Sequence, residues 1–275
     1  MKVYVPGSLP EALKMKEENP SFLWLAGGSD IMVYQKSGRI SPEGLIAIQY
    51  LPELQKVRFD DGLQLGAGLT FSQLLDNPLV QEHAPDLIDA LRTVGSIQVR
   101  NQGTLGGNIA NASPAGDTLP VLYLREAVLN VCNQNGERKV KIQDVINGPR
   151  AIALEKDELI CSVSLPVVQK PTRYGFFKVA PRKALAITKV SLAFHEFSSY
   201  PDWNGAIALG AVGPTIIRPL KTEEYLRGRP FSKQMISAVK SVFMNEVQAI
   251  DDIRSTSVYR SEVAFELLMK ALLVN

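Results

Sequence analysis

Two glycine-rich turns, Ala26-Gly27-Gly28-Ser29-Asp30 and Thr104-Leu105-Gly106-Gly107-Asn108, constrain this chain more than any other feature. The first follows the apolar run Phe22-Leu23-Trp24-Leu25, which reads as a buried strand, so its glycines fall where the chain leaves a sheet and turns sharply. Glycine accepts φ > 0 and carries no Cβ. Backbone N–H groups can then converge on phosphate oxygens, with the Ser29 and Thr104 hydroxyls as further donors. One Gly-Gly pair alone is an ordinary tight turn. Two such loops, the second running into Asn111-Ala112-Ser113-Pro114-Ala115-Gly116-Asp117, point to a clamp for a diphosphate.

Around the loops the chain reads as mixed helix and strand. Ser8-Leu9-Pro10-Glu11 has a capping-box pattern and starts a helix that ends near Asn19-Pro20. A strand at 45–48 closes a small βαβ-like lobe. Val57–Phe59 and Leu63–Gly66 form a hairpin through Asp60-Asp61-Gly62, and Thr70-Phe71-Ser72-Gln73 is a second capping box. Helical spacing runs from Pro85 to Val94, and Asn101 to Asp117 reads as a long loop too polar and glycine-rich to be core. Asp117 is placed to cap a helix over 118–125, and Asn135-Gly136 joins two strands. Prolines bracket a short linker between Pro166 and Pro171. Beyond it, strands near 174–179, 189–197 and 206–212 precede helices over about 231–246 and 257–274, an α+β order. The domains expected are 1–53 and 54–168, two lobes of one binding domain, and 172–275.

Composition narrows the function by exclusion. A formal charge of +2 with dispersed basic residues gives no nucleic-acid footprint. The N-terminus lacks the apolar core of a signal peptide and no run approaches a membrane span, so the chain reads as soluble and cytoplasmic. Cys132 and Cys161 are isolated, each in a strand-like run, and read as buried reduced thiols. With His83 and His195 they make too few ligands for an iron–sulfur cluster, and no metal site is expected on this chain. Gly66-Ala67-Gly68 lacks the third glycine of a dinucleotide fingerprint, neither loop ends in Gly-Lys-Ser/Thr, and no nucleophile elbow exists. The chemistry therefore belongs to a cofactor.

The combination resembles the FAD-binding subunit, or middle FAD domain, of the molybdenum hydroxylases, the group of xanthine and carbon monoxide dehydrogenases. Beyond the two loops it includes Glu158-Leu159-Ile160 leading to Leu165-Pro166, Phe177-Lys178 with Arg182 and Ala186-Ile187, and Ala208-Leu209-Gly210-Ala211-Val212-Gly213-Pro214-Thr215 with Arg218-Pro219. Leu226-Arg227-Gly228 and Tyr259-Arg260 complete it, so the resemblance covers nearly the whole chain. It implies an α+β protein: a two-lobed FAD-binding domain of the PCMH/vanillyl-alcohol-oxidase type, followed by a C-terminal α+β domain of antiparallel sheet plus helices.

The resemblance also implies a site. Leu25, Ala26, Gly27, Gly28, Ser29, Asp30 and Ile31 match the family's first diphosphate loop, and Thr104, Leu105, Gly106, Gly107 and Asn108 its second. Asp117 matches an acidic residue near the flavin, Ile160 an apolar residue beside it, and Lys178 a cation near the ring system. Arg100 and Arg182 face the diphosphate, a partner or solvent, and His195 reads as structural. FAD, held noncovalently, would take electrons from a small subunit with two [2Fe–2S] clusters, fed by a molybdopterin-binding large subunit in a dimer of heterotrimers. It would pass them to NAD⁺ or another soluble acceptor, with no catalytic side chain of its own. Two other classes stay open: a stand-alone flavin reductase on the same fold, and a flavin-free assembly subunit.

Overall fold

The computed structural model describes residues 1–167, 169–182, 185–197, 203–229 and 233–273. They fall into two compact units between which the chain passes repeatedly. The first comprises Met1–Ala84, Gly95–Ala112 and Glu126–Val167; the second comprises Pro85–Val94, Ser113–Arg125 and Val168–Asn275. Two segments from the middle of the sequence thus group with its C-terminal part.

The first unit's strands are β1 (Lys2–Tyr4), β2 (Leu23–Leu25), β3 (Gly44–Ala47), β4 (Val57–Phe59), β5 (Gly62–Gly66), β6 (Val128–Asn133), β7 (Gly136–Lys141), β8 (Ile146–Gly148), β9 (Ala151–Ile152) and β10 (Leu159–Pro166). The second unit's are β11 (Arg173–Val179), β12 (Val190–Glu196) and β13 (Gly205–Gly210). In chain order the helices are α1 (Leu9–Glu18), α2 (Ile31–Lys36), α3 (Phe71–Asp76), α4 (Pro78–His83), α5 (Pro85–Arg92), α6 (Ile97–Gln102), α7 (Leu105–Ala110), α8 (Leu119–Leu124), α9 (Leu220–Leu226), α10 (Ile236–Glu246) and α11 (Ser257–Leu273). Among the described residues no helix is long and apolar enough to cross a membrane.

In the first unit a parallel sheet of order β1-β3-β2 carries the first glycine loop at the end of β2. Parallel neighbours need helical crossovers, which α1 and α2 supply. Ser8 caps α1 by accepting from the Glu11 N–H at 3.4 Å, and Asn19 closes it. The strand read as buried, β2, is an edge strand with Leu23 37% exposed, whereas Leu45 and Ile46 of the central β3 are fully buried. β1, three residues long and followed by Pro6, gave no legible signal in the sequence.

A five-stranded antiparallel sheet, β4-β5-β10-β6-β7, forms the rest of the framework. Both predicted hairpins are present, turned by Gly62 and Gly136, and so is the Thr70–Gln73 capping box. Ala12, Phe22, Ile46, Ile48, Leu51, Leu54 and Leu159 pack into one core with Cys132. The cysteines correct the sequence reading: Cys132 and Cys161 are joined in a disulfide rather than held as separate thiols. Chain spacing says nothing about which strands become neighbours, and here β6 and β10 pair directly. Cys161 is the extra residue where the register shifts between Ile160 and Ser162, a β-bulge that the cross-link pins. Closing the 29-residue separation stabilises the fold by about 3–4 kcal/mol on the loop-entropy model.

The second unit is the expected antiparallel sheet plus helices, in the order β11-β12-β13. Every residue of β12 is buried because helices cover both faces. Val190, Leu192 and Phe194 join the core built with Phe243 of α10 and Ala264, Phe265 and Leu268 of α11. The intervening residues turn to the other face, where α8 packs. Helix α9 was not foreseen, and the expected boundaries at Phe231 and Val274 lie outside the described residues.

Candidate cofactor site

The first glycine loop is built by close backbone packing. Gly28 has φ +73°, the left-handed region that disfavours any side chain, so the conformational argument applies to it. Gly27 is needed for space instead: a Cβ there would lie 1.6 Å from the Gln102 carbonyl oxygen and 3.2 Å from the Gly103 nitrogen. The loop therefore rests on the backbone just ahead of Thr104, and Gln49 and Gln102 join their side-chain amides beside it at 3.2 Å. Among the described residues, the N–H groups of Gly27, Gly28 and Ser29 find no backbone acceptor. Asp30 stands at the start of α2 without capping it.

The second loop is organised differently from the open nest read in the sequence. Residues 105–110 are helix α7, with Leu105 and Ile109 buried, so this stretch is partly core. The apolar i, i+4 pair and the Thr104 cap decide this against the local glycine content. The Thr104 hydroxyl accepts from the Gly107 N–H at 3.1 Å, the Leu105 N–H donates to Leu69 O, and the Gly106 N–H donates to Ala67 O at 2.9 Å. These donors are already used. Thr104 itself is buried, and what the loop presents is the exposed, Cβ-free surface of Gly107. Gly106 is small for packing, since a Cβ would lie 2.7 Å from that of Ala67. Gly107 has no positive φ, and an added Cβ would meet only Thr104 Oγ1, at 2.8 Å.

A line of backbone bonds connects the sheet to this loop. Cys161 O accepts from Ala67 N at 3.0 Å, and Ala67 O in turn holds Gly106. The neighbouring Ile160 pairs with Val131 and is 4% exposed. Bulge, Ile160 and loop are thus linked through backbone hydrogen bonds.

Asp117 and Lys178 lie in the second unit and are bonded to each other, Nζ to Oδ2 at 2.6 Å. Lys178 also donates to Thr93 O at 3.0 Å, while Thr188 donates to Asp117 Oδ1 at 2.5 Å. This corrects the reading of Asp117 as a helix cap, because the cap position of α8 is Thr118 and no side chain caps the helix. The carboxylate prefers an ammonium and a hydroxyl to backbone N–H groups. Burial pushes the Asp117 pKa up, against the Lys178 charge and the hydrogen bonds that pull it down. Lys178→Met removes the ammonium and leaves a buried carboxyl that stays protonated over a wider pH range. A folded pKa above the ordinary value gives stability that is present at low pH and lost as pH rises through the folded pKa. The variant should lose about 1–3 kcal/mol, more at pH 8 than at pH 5 in urea unfolding; equal losses at both would mean that Asp117 does not titrate.

The second unit also contains a buried charge cluster that the sequence did not reveal. Asp86 accepts from Arg125 Nε at 2.8 and 2.9 Å and lies 2.7 Å from His195 Nε2, with all three side chains almost fully buried. Asp86 sits at the start of the apolar Leu87-Ile88-Leu91 helix face, the one sequence signal that could have marked it. His195 is part of this structural cluster. Arg100 donates to Gly95 O at 3.4 Å, and Arg182 closes its own turn by donating to Leu185 O. Among the described residues no group of three His, Cys, Asp or Glu side chains is placed to hold a metal ion.

Comparison with known proteins identifies this framework. Residues 1–168 match the model of the FAD binding domain in molybdopterin dehydrogenase, and residues 175–274 that of the CO dehydrogenase flavoprotein C-terminal domain. The chain is 32% identical over 270 residues to the glyceraldehyde dehydrogenase medium chain of Sulfolobus acidocaldarius, covering 96% of this chain and 94% of that one. It is 27% identical over 259 residues to a putative xanthine dehydrogenase FAD-binding subunit of Escherichia coli K12, covering 92% and 88%. The solved carbon monoxide dehydrogenase of Hydrogenophaga pseudoflava superposes with a TM-score of 0.91 at 26% identity, over 98% of this chain and 95% of that one. The chain accordingly belongs to the family of FAD-binding subunits of the molybdopterin dehydrogenases, oxidoreductases of the xanthine and carbon monoxide dehydrogenase type.

Proposed function

We propose that this chain is the electron outlet of a molybdenum hydroxylase, receiving electrons from [2Fe–2S] clusters on a small partner subunit and delivering them to a soluble acceptor such as NAD⁺. A molybdopterin-binding large subunit completes the heterotrimer, and heterotrimers pair into dimers. The observation that carries this reading is the first loop: three N–H groups without a backbone acceptor, at a turn that rests on the backbone just ahead of Thr104. That donor set fits a diphosphate. Bound FAD supplies the redox chemistry. The protein's part is to hold the diphosphate through Gly27, Gly28, Ser29 and Thr104, with Leu25, Ala26, Asp30 and Ile31 shaping the first loop and Leu105, Gly106, Gly107 and Asn108 the second. Ile160 adds an apolar wall that excludes water.

The direct test is to extract the cofactor. Acid precipitation of the purified protein should release one FAD per chain, because neither histidine nor cysteine belongs to the two loops for covalent attachment. Recovery of FMN, or of no flavin from protein shown to be folded, would overturn the assignment of both loops.

A further inference from the structure

The first unit carries a polar cluster that the diphosphate loops do not account for. Tyr34 lies in α2, the helix that leaves the first loop, and its hydroxyl donates to Asn111 Oδ1 at 3.2 Å. Asn111 is the residue that ends α7, the helix of the second loop. The guanidinium carbon of Arg150 lies 4.6 Å from the centroid of the Tyr34 ring, and that of Arg39 lies 5.9 Å from it. The Arg150 N–H donates to the carbonyl of Ala112, next to Asn111, at 2.9 Å. One aromatic ring is therefore bonded at its hydroxyl to the second loop's helix and stacked on its face by an arginine anchored to the same place. The cluster also reaches the first loop through Asp30. Burial pushes the pKa of that carboxyl up, while the neighbouring Tyr34 and the Arg150 charge pull it down.

We propose that Tyr34, clamped by Arg150, is a positioning residue for the cofactor: it bolts the helix leaving the first loop to the end of the second loop's helix and so fixes the separation at which the two loops grip the diphosphate. This rests on the assignment of FAD to those loops. Gly27 against Gln102 joins the loops at one end, and the Tyr34–Asn111 bond joins their helices further along, so together the two contacts remove the freedom to splay apart. A clamp held at its working spacing before the ligand arrives does not lose conformational entropy on binding. Arg150 is exposed and touches the ring's face, so it acts on the clamp by holding Tyr34.

The test uses the FAD-loaded protein and variants Tyr34→Phe, Arg150→Asn and Arg150→Lys. Asparagine tolerates the left-handed backbone of Arg150, at φ +59°, so that substitution removes the guanidinium with little strain. Loss of one hydrogen bond or one cation–π contact corresponds to roughly a 2- to 12-fold change in an equilibrium constant. FAD dissociation, followed by recovery of flavin fluorescence, should speed up by about that factor in Tyr34→Phe and Arg150→Asn, while Arg150→Lys is partly rescued. The visible spectrum of retained FAD should not change, and the melting temperature of the deflavinated protein should fall by no more than the loss of one such contact. If both variants release FAD at the parental rate, the brace is overturned and the cofactor assignment stands. A fall in apoprotein stability with FAD dissociation unchanged would make the cluster structural only, and a parent protein without FAD would overturn the cofactor assignment itself.

Discussion

Replacement of Gly27 by alanine should abolish FAD retention. The added Cβ would lie 1.6 Å from a backbone carbonyl, that of Gln102, which cannot swing aside like a side chain. Either the first loop lifts from the second or the α6 terminus unwinds. Overpacking of a well-packed site usually costs about 1–3 kcal/mol, and a backbone-to-backbone clash belongs at or above the top of that range. The free N–H groups of Gly27, Gly28 and Ser29 would move with the loop, so binding is lost together with stability. Gly148→Ala is the matched control, because a Cβ there meets only Ala151 Cβ at 3.7 Å. The control should keep full flavin occupancy and be as stable as the parent, or about 0.4–1 kcal/mol more so. Flavin content after gel filtration, with urea unfolding of both variants, checks the pair. Parental occupancy in Gly27→Ala would show that the loop contact is dispensable.

Asp86→Ala should be the most destabilising change in the second unit. It leaves the Arg125 guanidinium, 5% exposed, without its bidentate partner. Breaking a buried pair from one side costs about 3–5 kcal/mol, whereas the exposed pair of Asp89 and Arg92 should tolerate Asp89→Ala within about 0.5 kcal/mol. The parent protein carries a linked acid response. Burial raises the Asp86 pKa, but the hydrogen bonds from His195 and Arg125 and the charge of Arg125 overcome it and hold it at about 2. A folded pKa below the unfolded value of 3.8 means that the unfolded chain binds more protons between the two. The stabilisation is therefore complete above about pH 4 and is lost as pH falls toward 2, by about 2 kcal/mol for this group. Urea midpoints at pH 7 and across the acid range measure both effects. A loss below about 1 kcal/mol in Asp86→Ala at pH 7 would mean that Arg125 finds another partner or water.

Much of this was legible in the sequence, for identifiable reasons. The Thr70–Gln73 capping box, the Asn135-Gly136 hairpin and the strands-then-helices order of the second unit are local signals, fixed by residues within one turn or one strand of each other. The glycine loops stood out as a pair, and Gly27 does rest on the backbone that leads into the second loop. What was hidden is nonlocal. Gly27 announces a turn, yet its reason for being glycine is a carbonyl contributed by Gln102. Residues 105–110 look like loop in composition and are helix because Leu105 and Ile109 find a core to enter. Cys132 and Cys161 read as unrelated thiols until β6 and β10 are seen to pair, and nothing near Asp117 shows that its carboxylate is taken by Lys178.

The repeated passage of the chain between the two units has a consequence for synthesis. Pro85–Val94 and Ser113–Arg125 emerge from the ribosome early, yet they belong to a unit whose sheet begins only at Arg173. Leu87, Leu91, Leu119 and Leu122, all fully or almost fully buried in the finished protein, must wait for the last hundred or so residues, exposed in the nascent chain. Fragments divided at the linker would separate Asp86 and Arg125 from His195, and Asp117 from Lys178. The charge cluster cannot close before His195 is made, and the second core cannot close before α11 is. A premature stop anywhere in the C-terminal region leaves apolar helices of the N-terminal part without their partners, a ready target for chaperones and proteases.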